Sequence, residues 1–141
     1  MELAGTIIAA LSLLVTAVTF ISDKILIRKQ RTIEKLSDLR NSYHESIAGK
    51  ERKAEKEYYR NCVKFVGEVE LFCAGVLSGY YSFRITKKNG SRFITMLFND
   101  FEDYLIKQRR AMFQNDNYYQ NLEMLVIKLN TKKKTEAEYH V

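Results

Sequence analysis

The sequence predicts an all-α protein: one N-terminal transmembrane helix that continues into a stalk, followed by a small cytoplasmic helical bundle. Three observations predict it. The 141 residues contain no proline, so nothing fixes φ or removes a backbone donor inside a long helix. From Leu3 to Ser22 no side chain ionises. Beyond that run, apolar residues recur at three- and four-residue steps nearly to the C-terminus, which is the period of an amphipathic helix. With 46% hydrophobic and 28% charged residues, the chain also lies outside the disordered class.

The first element spans residues 1–27. Its uncharged run, Leu3–Ser22, is twenty residues long, and about 20 residues cross ~30 Å of hydrocarbon as a helix. A cleaved signal peptide opens with a positive region, whereas the only charged side chain ahead of this run is Glu2. The segment therefore reads as an uncleaved anchor. Arg28, Lys29 and Arg31 flank its far end, and basic flanks stay in the cytoplasm. The expected setting is a bacterial inner membrane crossed once, with the N-terminus out and the C-terminal domain in the cytoplasm.

Small and polar residues inside the run are aligned. Gly5, Ala9, Ser12, Thr16, Thr19 and Asp23 are spaced by steps of four, three, four, three and four, which places all six within about 40° of one line on a helix. The opposite face carries Ile7, Leu11, Leu14, Val18, Ile21 and Ile25. Lipid does not reward such a stripe, but a neighbouring helix does, because small residues allow close approach and hydroxyls bond across the contact. With a single spanning segment, the neighbour is another copy or another protein. Two arrangements fit: a closed homo-oligomeric seam, or a pore lining in which a ring of Asp23 carboxylates attracts cations.

Residues 28–57 form the stalk and linker. Ile33, Leu36, Leu39, Tyr43 and Ile47 continue the helical spacing, and Gly49 in AGKERKAEKE marks a turn. The bundle occupies 58–130. Its first helix carries Tyr58, Cys62, Phe65, Val66, Val69, Phe72, Cys73 and Val76, and stops near Ser78-Gly79. FRITKKNGSRFIT holds both a hairpin signal at Asn89-Gly90 and the start of a helix over 91–113, with Ser91 as N-cap. The helix is preferred, because a lone hairpin is marginal. A last helix runs from 117 to 129, with Tyr119, Leu122, Leu125, Val126 and Leu129 inward. The basic tail, 131–141, is expected to be flexible.

Catalytic patterns are sparse, so an enzyme is not expected, nor a cofactor or metal. Cys62 and Cys73 are eleven residues apart, roughly 16 Å along one helix, too far for a disulfide. Free thiols fit a reducing cytosol. The two histidines are His44 and His140. Helical-bundle ribonucleases of the HEPN class carry an arginine, then four to six intervening residues, then a histidine. Arg40 and His44 enclose only three residues, so that motif is absent. Glu68 and Glu70 lie in the apolar helix FVGEVELFCAG, where a lone buried carboxylate is costly; ion pairs with Arg60 or Lys64 are the expected relief. Asp100, Glu102 and Asp103 lead Lys107, Arg109 and Arg110 at spacings that stabilise a solvated helix face, while Arg109 and Arg110 also stand with Glu68 and Glu70 as candidate buried charges. Lys132, Lys133 and Lys134 form a weak electrostatic patch for RNA or lipid, which leaves nucleic-acid binding open.

The segments FVGEVELFCAGVLSGYYSFRI, YLIKQRR and NYYQNLEMLVIKL resemble small bacterial proteins of unknown function with one membrane helix and a cytoplasmic helical domain. In that likeness Glu70 matches the glutamate of the apolar helix, and Arg109 or Arg110 the arginine after the next one. Gly67 departs from it by replacing a polar residue. The order of parts is also similar to the transmembrane, HEPN-like accessory proteins of type VI-B CRISPR systems. That likeness implies a pore-type membrane effector in antiviral defence, with an RNA-guided effector or another cytoplasmic protein as partner beside membrane lipid. The alternatives are a non-conducting, membrane-anchored scaffold and a membrane-tethered HEPN-like ribonuclease.

Overall fold

The computed structural model describes residues 2–50 and 55–131. Every regular element among them is helical. Helix α1 covers Glu2–Ser46, α2 Glu55–Leu77, α3 Phe83–Asn89, α4 Ser91–Phe101, α5 Lys107–Phe113 and α6 Gln120–Asn130. A π-helical turn, Glu102–Ile106, joins α4 to α5. The basic tail with Lys132, Lys133, Lys134 and His140 lies outside the described residues.

Helix α1 is one unbroken rod of 45 residues, about 68 Å long. Its two halves meet different surroundings. Residues from Leu3 onward through the apolar run are long and apolar enough to cross a membrane, and none of that window is buried by the rest of the chain. Leu36 and Leu39 of the other half, and Ile47 just past its end, are buried in the core of the bundle. Ile33, which the spacing assigned inward, is exposed, and Thr32 is fully buried in its place. At 100° per residue Thr32 lies on the line of Leu36 and Leu39, whereas Ile33 is turned well off it. The buried hydroxyl is satisfied: Thr32 Oγ1 donates to the Arg28 carbonyl (2.7 Å) and accepts from Ser82 N–H (2.8 Å).

Helix α2 is the central rod. Its buried face, Cys62, Phe65, Val66, Val69, Phe72, Cys73 and Val76, packs against α1 and α6, and α6 packs also on α4. The helix ends at a left-handed glycine, Gly79, with φ +83°, a conformation glycine adopts without a Cβ clash. Gly75 has a different requirement. A Cβ there would stand 2.5 Å from the Tyr81 ring, so its absence lets Tyr81 close over α2 and meet Phe72, centroid to centroid at 4.9 Å.

The middle of the chain is helical, the alternative preferred over a hairpin, and one expected cap is corrected. Residues 83–89, outside the helices the sequence predicts, form the short helix α3; Ser82 caps it, its hydroxyl accepting from Ile85 N–H (3.3 Å). Ser91 is not the N-cap of the next helix. Gly90 holds that position, and no side chain bonds there. The helical stretch does run to Phe113, but through the π turn, where Lys107 N–H reaches the Glu102 carbonyl five residues back. The extra residue brings both Leu105 and Ile106 into the core, and Ile106 is the one the α-helical spacing had not placed there.

Candidate functional site

Three groups of side chains stand out. On the free half of α1 the stripe residues Gly5, Ala9, Ser12, Thr16, Thr19 and Asp23 are all exposed. Nothing lies within 4 Å of the position a Gly5 Cβ would take. The Thr16 hydroxyl donates to the Ser12 carbonyl and the Thr19 hydroxyl to the Val15 carbonyl, each at 2.9 Å. Their protons are therefore used within the helix, while their oxygens keep lone pairs for an incoming donor. Counted at 100° per residue, the stripe points about half a turn away from the Thr32, Leu36, Leu39 and Tyr43 face that carries the bundle. The bundle thus leaves the stripe uncovered from end to end.

Past the apolar run, Arg28, Lys29 and Arg31 begin the docked half of α1. Arg31 lies over the Tyr80 ring at 4.4 Å, and Lys24 over Phe20 at 4.4 Å. Lys29 is half-buried. Lower on the rod, the Arg40 guanidinium donates to the Asn89 carbonyl at the end of α3 and faces the Phe93 ring. His44 is exposed and edges against Tyr43. Arg40 is thereby occupied in holding α3 to α1.

The third group sits where α6 begins. Glu70 is half-buried, and its carboxylate makes no ion pair with Arg60 or Lys64 among the described residues, contrary to the sequence expectation. It accepts instead from Asn121 N–H (3.0 Å), the Asn121 side-chain amide (2.9 Å) and Leu122 N–H (2.8 Å). The first N–H groups of a helix have no partner inside it, and the residue preceding α6, Tyr119, offers no side-chain bond. Glu70 of α2 supplies that cap from a different helix, and its charge suits the positive end of the α6 dipole. Glu68 faces another way, lining a shallow polar recess with Ser42, Ser46, Asn61 and Lys64.

Arg109 and Arg110, which the sequence offers both on a solvated face and as candidate buried charges, are half-buried. Only Lys107 of that basic set forms the outward pairs, with Asp103 (2.6 Å) and Glu102 (3.6 Å); these carboxylates hold the Lys107 ammonium above its usual range. Arg110 Nε donates to the Tyr118 carbonyl (2.8 Å) and its Nη2 to Glu123 (2.7 Å). Arg109 lies over the rings of Phe113 (5.0 Å) and Tyr118 (5.5 Å), which themselves stack at 5.2 Å. Between α5 and α6 the chain turns through two left-handed non-glycine residues, Gln114 and Tyr119. Burial raises the Tyr119 phenol, and the neighbouring Arg109 charge partly offsets it. Glu70 and Arg110 thus clamp the α5–α6 connection. Asn121 and Glu123, the partners in this clamp, carried no sequence signal, because they lie on a different element from Glu70. Among the described residues no cluster of His, Cys, Asp or Glu is placed to hold a metal ion.

A family profile described as a domain of unknown function, DUF4760, matches residues 6–129, most of both halves of the chain. No curated protein and no solved structure matches it.

Proposed function

We propose, for a chain that belongs to the DUF4760 family of domains of unknown function, a single-span inner-membrane protein whose copies associate along the α1 stripe. The N-terminus lies outside and the helical bundle in the cytoplasm, as Arg28, Lys29 and Arg31 dictate by their charge. One observation carries the reading: the small and hydroxyl-bearing face of α1 is bare and stands about half a turn from the bundle. Identical rods can meet along it while their bundles point outward, and the apolar row of Ile7, Leu11, Leu14, Val18 and Ile21 is left for lipid. Thr16 and Thr19 oxygens and a ring of Asp23 would then surround the common axis. The assembly is a pore-type effector that perturbs the membrane in antiviral defence, of the kind the likeness to type VI-B accessory proteins suggests.

A second reading is favoured by the hydroxyl protons that Thr16 and Thr19 commit to their own helix. A face so satisfied packs readily as a dry, closed seam, and the protein is then a non-conducting scaffold for a cytoplasmic partner. Ser12, Thr16 and Thr19 replaced together by Leu test both. Mass measurement of detergent-solubilised protein and membrane depolarisation in cells are the readouts. A wild-type oligomer that depolarises, with a triple variant that does neither, supports the pore. An oligomer without depolarisation supports the scaffold. A monomeric wild type overturns the association itself.

A further inference from the structure

Lys24, Arg28 and Arg31 succeed one another at four- and three-residue steps on one face of α1, just past the apolar run. Together with Ile27 they line one wall of a cleft of about 340 Å³, and Gly79 and Tyr80 form the other. The bundle builds this cleft; α1 alone does not. The left-handed turn at Gly79 carries the chain back towards α1, Ser82 N–H bonds Thr32, and the Tyr80 ring lies against the Arg31 guanidinium. No carboxylate lines the cleft, and among the described residues none of the three cations forms an ion pair. Three cationic side chains therefore line one recess. Lys24 lies about 3 Å and Arg28 about 9 Å beyond Ser22 along the helix, across a headgroup layer about 5–8 Å thick; Arg31, about 14 Å beyond Ser22, lies past that layer and can meet it only through its long side chain, which leans towards the helix N-terminus. Ile25, Leu26 and Ile27 are exposed beside them, so acyl chains can run alongside.

We propose that this cleft binds the phosphate of an anionic phospholipid headgroup, with Lys24, Arg28 and Arg31 as its cationic ligands and Tyr80 holding Arg31 in place. A guanidinium takes a phosphate through paired N–H bonds, and a stacked one loses less freedom in doing so. The proposal rests on α1 spanning the membrane. The test uses the full chain in a non-ionic detergent, with equal amounts of phosphatidylglycerol and phosphatidylcholine, and native mass spectrometry to count retained lipid. Phosphatidylglycerol should be retained preferentially. Arg31→Gln and Tyr80→Ala should each reduce that retention by about fivefold or more, while Tyr80→Phe and the distant Arg92→Gln should not. Equal retention of both lipids, or variants that retain phosphatidylglycerol like the wild type, overturns the proposal. Displacement by an equal concentration of inorganic phosphate or glycerol phosphate also overturns it, by assigning the cleft to a free anion. Carbonate-washed membranes report the span separately. Release of the chain into the soluble fraction refutes the membrane reading, whereas retention there without lipid preference refutes the headgroup site alone.

Discussion

Removing the Glu70 carboxylate should destabilise the bundle through a helix on which Glu70 does not lie. Glu70→Ala leaves the Asn121 N–H, the Asn121 amide and the Leu122 N–H without their acceptor. Each bond to a charged group is worth about 1.5–3 kcal/mol, but water reaches a half-buried site, and loss of an ordinary N-cap costs about 0.5–2 kcal/mol. The sum expected for Glu70→Ala is about 2–4 kcal/mol. Glu70→Gln keeps one acceptor oxygen and forfeits the charge, for about 1–2 kcal/mol. Glu68→Ala, two residues away on another face, should stay within about 0.5 kcal/mol. At about 4–8 °C per kcal/mol for a domain of this size, Glu70→Ala should melt roughly 8–32 °C below the wild type. The chain has nine tyrosines and no tryptophan, so near-ultraviolet circular dichroism in detergent micelles reports bundle packing even where α1 stays helical. If Glu70→Ala and Glu68→Ala melt within about 2 °C of each other, the cross-helix cap is not what holds α6.

The backbone and the core each carry a further expected outcome. Gln114 is exposed and left-handed at the end of α5 (φ 49°, ψ 40°), a position that favours glycine, so Gln114→Gly should stabilise the bundle by about 0.5–1 kcal/mol; an unchanged or lower melting temperature in the same assay refutes it. Burial, and then the nearby Glu70 charge, raise the Cys73 thiol, while burial raises the Tyr43, Tyr81 and Tyr119 phenols. A group whose folded pKa is raised contributes stability that is complete below its unfolded pKa and is lost as pH rises beyond it. Melting temperature should therefore decline from about pH 8.5, where the unfolded thiol ionises, and fall more steeply above about pH 10, where the unfolded tyrosines do. A melting temperature constant from about pH 7 to 11 contradicts this.

The local pattern of the sequence carried the rods and their inward faces. Cys62 to Val76 on α2 and Leu122 to Leu129 on α6 are buried as their spacing required, because one helix repeats its own geometry every 3.6 residues. The same pattern failed at two positions. Helix geometry turns Ile33 off the line of Leu36 and Leu39 and puts Thr32 on it, and Ser82, fifty residues away, makes the buried hydroxyl tolerable by donating to it. Ile106 gained a place in the core because the π turn shifts the register there.

By itself, then, the sequence determined an apolar rod of spanning length with one aligned small-residue face, and the helical character of the residues beyond it. These depend only on neighbours within a turn or two. The tertiary structure alone decided that Glu70 caps α6, that Arg110 meets Glu123, and that Tyr80 meets Arg31. Each of these pairs groups from separate helices, and no spacing along the chain encodes which donor will meet which acceptor once the helices pack.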